Sequence, residues 1–269
     1  MQPALVLQSE TALSPEFVKN RLLAKIIAAE PEYLLPRLQV IHLPSNQTIY
    51  DEGDWIASVY FPIESLISCL AVLEDGTTVE ISMIGRDGLA GMSAVVGLRT
   101  NQFWTRMCVG GSVGKLDVDV LTSVFNKNRR VQTLLLHSYN SLVTQISQRA
   151  VCNVRHSVMQ RFCCWLLMAQ DRVGIENMPL TQELIASKLG ARRAGITVAA
   201  RGLYERQAIE YKRGVLHIKN RSLIEQEACE CYSILKNHET VARGLPIDSW
   251  YAHESRALVT SLTPSAVVP

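Results

Sequence analysis

The sequence predicts an α+β chain in which a compact antiparallel β domain is followed by a long helix and then by a winged helix-turn-helix. Three observations carry this. Short apolar runs divided by turn residues fill residues 40–116, and an uninterrupted helical stretch follows at about 130–153. Residues 180–221 then read as two short helices, the second one basic, and a small β-wing.

Composition sets the frame. At 269 residues, 48% hydrophobic and 19% charged, the chain is long enough for two modest domains, each with its own core. No apolar run approaches the roughly 20 residues needed to cross a bilayer, and the opening MQPALVLQSETALSPEF lacks the basic start and apolar core of a secretory signal. A cytoplasmic protein without a membrane partner is expected. The seven cysteines (69, 108, 152, 163, 164, 229 and 231) include no C-x-x-C, and no histidine stands out at a ligand spacing from them. They read as reduced thiols packed as small apolar groups, with no metal and no cofactor evident. One of Cys163 and Cys164 is expected in the core and the other at the periphery, since neighbours on a helix point about 100° apart.

The elements follow in order. An N-terminal helical segment is expected at 1–35, opened by Ser14-Pro15-Glu16 as cap, first-turn proline and favourable charge. The β domain occupies 36–128. Its runs VIHL, TIY, SVYF, LISCLAVL and TVEISMI are separated by Pro44-Ser45-Asn46, 51–54, Pro62 and Asp75-Gly76. Asp75-Gly76 suits a type I′ hairpin turn, because both residues tolerate positive φ. Further strands fall near 103–109 and 111–116, and helix resumes at Asp119.

The long helix, assigned to 129–154, places Val131, Leu135, Tyr139, Leu142 and Ile146 along one face. It could simply pack on its own β domain. Leu134-Leu135-Leu136 offers more apolar surface than one face needs, so these five residues are expected to pair with a second copy of the chain.

A winged helix-turn-helix is assigned to 155–238, with residues 157–169 as its scaffold helix. Thr181 is an N-cap for a helix burying Leu184, Ile185 and Leu189, Gly190 permits the turn, and a second helix from about Arg192 buries Ile196, Ala199, Ala200 and Leu203. Between Thr181 and Arg221 stand nine basic residues against three acidic ones, a balance of +6 in a chain of +2, so the remainder is net acidic. A solvated basic face would explain the charge alone. Helix, glycine turn, basic helix and hairpin together point to a module that reads double-stranded DNA. Everything after about Glu239 lacks a periodic apolar pattern and reads as a loosely ordered tail.

This order of parts resembles the Crp/Fnr family of bacterial transcription regulators, and most resembles an Fnr-like subgroup of uncertain effector. The likeness spans about 35–232 and rests on IYDEGD (49–54), SVYFPIESLIS (58–68), VEISMIGRDGLAGM (79–92), RFCCWLLMAQDR (161–172), LTQELIASKLGARRAGITVAARGL (180–203) and the wing YKRGVLHIKNR (211–221). The resemblance implies a cyclic-nucleotide-binding-like β-roll, a homodimer on near-palindromic operators, RNA polymerase as a candidate partner, and no catalysis. Thr181, Arg192, Arg193, Thr197, Arg201, Lys212 and Arg213 are the implied DNA-binding set. Arg193 takes the place of a guanine-reading arginine, Thr197 and Arg201 those of phosphate or secondary base contacts, and Lys212 and Arg213 sit at the wing turn. Three features depart from the family: Ala191-Arg192 replaces the small polar cap, Ala194 a glutamate, and Gly195 costs roughly 1 kcal/mol of helix propensity.

Effector residues are less well supplied. Gly91, Met92, Ser93, Arg99, Trp104 and Arg106 are the candidates by position, but no glutamate stands in that loop and Phe103-Trp104 occupies the place of a phosphate clamp. A buried phosphate would lack its charge partner, so a conventional cyclic nucleotide is not expected. The N-terminal cysteine cluster of an iron-sulfur sensor is missing, and His42 has no companion for haem, metal or cupin-like catalysis. The effector is unknown, and a ligand-free β-roll acting only as a dimerisation scaffold is an alternative. Another is a nucleotide-binding or protein-interaction module whose helix-turn-helix docks a protein.

Overall fold

The computed structural model describes residues 16–244, with side chains to residue 238. The Ser14-Pro15 cap and the chain beyond Gly244 lie outside the described residues. Asn20 instead caps α1 (Arg21–Ala29), its side chain accepting from the Leu23 N–H, and a short α2 (Pro31–Leu34) follows.

Seven strands build the β domain: β1 (Gln39–Leu43), β2 (Thr48–Tyr50), β3 (Ser58–Pro62), β4 (Leu66–Val72), β5 (Thr78–Ile84), β6 (Trp104–Val109) and β7 (Gly111–Asp117), with the one-turn α3 (Met92–Val95) after β5. All pair antiparallel, in sheets of order β1-β7-β3 and β2-β6-β4-β5. Ile67 and Met107 of one sheet pack with Val113 of the other. His42 is exposed on β1, an edge strand.

The β4–β5 turn differs from the type I′ expectation. Val72 still pairs with Thr78, leaving a five-residue loop in which Gly76 (φ 79°) has positive φ and Asp75 does not. Asp75 uses its carboxylate instead, accepting from the Thr77 N–H at 2.9 Å, and the Gly76 N–H bonds Leu73 O at 2.9 Å.

After α4 (Val118–Lys127), capped by Asp117, comes α5 (Arg129–Arg155), 27 residues long and capped by Asn128. Its start is covered by the chain's own N-terminal helix: Leu23, Ile26 and Ile27 of α1 share a core with Val131, Leu134 and Leu135. That packing accounts for most of the surplus apolar surface noted in the sequence. Ser157 then opens α6 (Val158–Val173) with a full capping box to Gln160.

The C-terminal domain surrounds α6 with α7 (Gln182–Leu189), α8 (Arg193–Glu205) and α9 (Arg221–Glu227), a sheet of order β8-β10-β9 (β8 Asn177–Met178, β9 Ile209–Lys212, β10 Val215–Ile218), and α10 (Cys231–Gly244). Helix α10 runs past Glu239, so the expected tail begins as helix. Because α6 is enclosed on all sides, Cys163 and Cys164 are both buried, not one of the two. The domain's core continues into the β-roll, where Leu66, Met83, Cys108 and Val109 join Phe162, Trp165 and Leu166.

The junction is also polar. Glu80 on β5, its side chain fully buried, accepts from Arg149 Nη1 of α5 at 3.0 Å and Trp165 Nε1 of α6 at 2.7 Å, and from the Ser68 hydroxyl. Arg149 in turn donates to the carbonyl of Lys188 at 2.8 Å. One carboxylate thereby joins both β-roll strands to the long helix and the C-terminal domain.

Candidate nucleic-acid interface

The interface begins with α7. Thr181 accepts from the Leu184 N–H at 3.1 Å, so its hydroxyl is engaged as the helix cap. Gly190 ends the helix at φ 55°, and a Cβ there would lie 3.2 Å from Val79, so both backbone conformation and the approach to β5 favour glycine. The turn delivers α8, whose N-cap position is Arg192, without a side-chain cap bond.

Helix α8 buries Ile196, Ala199, Ala200 and Leu203 and turns Arg193, Ala194, Thr197, Val198, Arg201 and Tyr204 outward. The charged groups on that face are lightly held. Arg193 is 3.8 Å from Glu183, with both side chains more than 70% exposed. Arg201 is 2.7 Å from Glu205, whose hydrogen bond raises the guanidinium above its usual pKa. Thr197 Oγ1 contacts Gln182 at 2.8 Å. Exposed pairs of this kind are worth a few tenths of a kcal/mol and exchange readily for phosphate or base contacts.

Lys212 ends β9, and the wing turns through Arg213 (φ 51°) and Gly214 (φ 82°), two consecutive left-handed residues as a two-residue hairpin requires. Lys212 and Arg213 are both exposed there.

The local charge excess divides in two. Lys188, counted with the basic segment, is buried at the β-roll junction. Arg206 pairs with Glu227, Lys219 with Glu210 (3.2 Å), and Arg221 with Asp171 and Glu225 (both 2.9 Å). Arg192, Arg193, Arg201, Lys212 and Arg213 thus form the exposed basic set. A residue that sequence reasoning missed is Val198, 72% exposed on the same face. A β-branched apolar side chain among arginines suits a thymine methyl group, and its position off the buried α8 register was the available signal. Gly195 faces Val158 at 3.7 Å from its would-be Cβ, an ordinary contact. Gly195→Ala is accordingly expected to stabilise the chain by up to about 1 kcal/mol in urea unfolding.

The effector candidates are not gathered into one pocket. A cleft with about 400 Å³ of empty space lies between β-roll and α5, lined by Gly88, Leu89, Met92, Ser138, Tyr139 and Leu142 among others, and of the six candidates it includes Met92. Arg99 is ion-paired to Asp119 and lies over the Trp55 ring, while Arg106 stacks on Trp104 at 4.0 Å and faces Asp51 at 4.0 Å. Gly91 caps α3 in the left-handed region.

The expected dimer face needs rotation. Val131 and Leu135 are fully buried within the chain, and Leu142 is half-buried against the β-roll core. Tyr139 and Ile146 are exposed, and they fall in a stripe with Leu136, Val143, Ala150 and Val154, at spacings of three or four residues. The cysteine reading needs correction as well. Cys152 and His156 stand four apart at the end of α5, and the fold brings Cys229 and Cys231 against them. Hydrogen bonds from the Cys152 and Cys164 thiols hold the Cys229 thiol below its usual range.

A β-roll joined by one long helix to a domain presenting a basic helix and a wing is the architecture of a DNA-binding regulator. The Crp-like helix-turn-helix domain family matches residues 160–227. Similar solved structures include FixK2 from Bradyrhizobium japonicum (15% identity, TM-score 0.62, covering 71% of this chain and 98% of that one). Others are the CRP-family regulator TTHB099 from Thermus thermophilus (14%, 0.59, 70% and 96%) and the c-di-GMP-responsive regulator CLP from Xanthomonas campestris (13%, 0.57, 71% and 98%). No curated protein sequence matches. The chain is placed among Crp/Fnr-type transcription regulators, by family match over its helix-turn-helix domain and by fold over most of its length. No helix among the described residues is long and apolar enough to cross a membrane.

Proposed function

We propose that this chain is a homodimeric, sequence-specific DNA-binding regulator that acts in the cytoplasm on near-palindromic operators and performs no catalysis. The observation that carries the reading is the outward face of α8, where Arg193, Thr197, Val198 and Arg201 stand together beside the Lys212-Arg213 wing tip. Two such heads, held by the exposed α5 stripe, would reach successive major grooves. RNA polymerase remains a partner by family analogy. The engagement of Arg99 and Arg106 by Asp119, Trp104 and Asp51 supports an effector other than a conventional cyclic nucleotide.

Selection from a random DNA pool without added effector, followed by salt titration of the best site, tests this. A palindromic consensus whose affinity falls steeply with salt is expected. Arg193→Ala should cost about 1–3 kcal/mol on that site and leave random DNA unchanged, whereas Lys212→Ala should weaken both equally. Equal losses for Arg193→Ala on both DNAs would reject base reading, and a pool without enrichment would favour a helix-turn-helix that docks protein.

A further inference from the structure

The end of α5 and the start of α10 meet in a constellation that DNA binding does not use. Cys152 lies in the last turn of α5 and His156 follows at its C-cap, while Cys229 precedes α10 and Cys231 opens it. The ligand atoms of these four residues lie within 4.8 Å of one another. Cys152 Sγ is 3.5 Å from Cys229 Sγ, and Cys231 Sγ is 3.5 Å from His156 Nδ1.

These are the edges of a coordination tetrahedron. With Zn–S near 2.3 Å and Zn–N near 2.0–2.1 Å, tetrahedral angles require S···S of about 3.8 Å and S···N of about 3.6 Å. We infer that Cys152, His156, Cys229 and Cys231 form a closed, structural-type site for a divalent, thiophilic cation of the zinc kind. Three thiols and one imidazole suit zinc over the hard, oxygen-seeking cations. Each ligating thiol gives its proton to solvent as the ion enters, and no oxidant is needed.

The surroundings independently fit a ligand role. His156 Nε2 lies 3.2 Å from Glu230 Oε2, which orients the ring with Nδ1 toward the three sulfurs, the carboxylate–histidine arrangement common behind metal ligands. Gln148 Nε2 donates to Cys231 Sγ at 3.1 Å, as a thiolate ligand would want. All three cysteines are buried, and the protein supplies all four ligands, leaving no open position for substrate. The site ties the far end of the long helix to the last described helix of the C-terminal domain.

The test uses the full chain. Purified under reducing conditions from zinc-supplemented medium, it should retain one zinc per chain. The metal-free reduced protein should bind cobalt(II) with the intense visible bands and sulfur charge-transfer absorption of a tetrahedral thiolate site, both abolished by zinc. Cys229→Ser and His156→Ala should lose stoichiometric metal, Glu230→Gln should weaken cobalt binding about 10- to 100-fold, and Cys163→Ser should retain it, because that thiol contacts Met159 instead. If the ligand variants fail to fold, the cobalt spectrum of the unaltered chain decides. Absent metal, the weak bands of octahedral cobalt, or a Cys152–Cys229 disulfide in the native chain would overturn the inference.

Discussion

Glu80→Ala is expected to lower the unfolding free energy by about 3–5 kcal/mol, the cost of leaving one partner of a buried ion pair without the other. Arg149 is nearly as enclosed as Glu80, at 12% side-chain exposure, so water cannot replace the lost carboxylate, and the Trp165 N–H loses its acceptor as well. Because this carboxylate touches the β-roll, α5 and α6 together, its loss should also separate the unfolding of the two cores, seen as diverging urea transitions by circular dichroism and by tryptophan fluorescence. Glu80→Ala with Arg149→Met should recover part of the loss, since removing both charges leaves no unpaired ion. A cost below about 1 kcal/mol for the single replacement would show that the pair is open to solvent.

Val143→Asp is expected to raise the dimer dissociation constant by more than about 100-fold, or about 2.7 kcal/mol. Val143 lies mid-way along the exposed stripe of α5, and two-fold symmetry would set its two copies close together, so each protomer would desolvate a carboxylate opposite its twin. Operator affinity should fall with it, as one head cannot engage both half-sites. Leu135→Asp should behave differently. Leu135 is fully buried against α1 and the β-roll, so its replacement should destabilise the protomer independently of concentration. Sedimentation velocity over a concentration series separates the two, and a Val143→Asp chain that still sediments as a dimer would exclude this face.

The parts of the fold that depend on local chemistry were legible in the sequence. Strand positions followed from alternating apolar runs, the α6 start from Ser157 and Gln160, and the α7–α8 turn from Gly190, because each needs only neighbours within a few residues. Helical phase along α5 was harder. Val131, Leu135 and Ile146 share a pattern in the sequence, but only the arrival of α1 against the first turns decides that Val131 and Leu135 face inward, and that Leu136, Val143 and Val154 face out.

By itself, then, the sequence determined a β-roll, a long helix and a winged basic module, since periodicity and caps act locally. Tertiary packing decided which cations remain exposed. It buried Lys188 at the junction and paired Arg206, Lys219 and Arg221, leaving Arg193, Arg201, Lys212 and Arg213 outward. It also brought Cys152 to Cys229, 77 positions apart in the chain. No sequence spacing encodes that meeting, because it depends on the packing of α10 against α5.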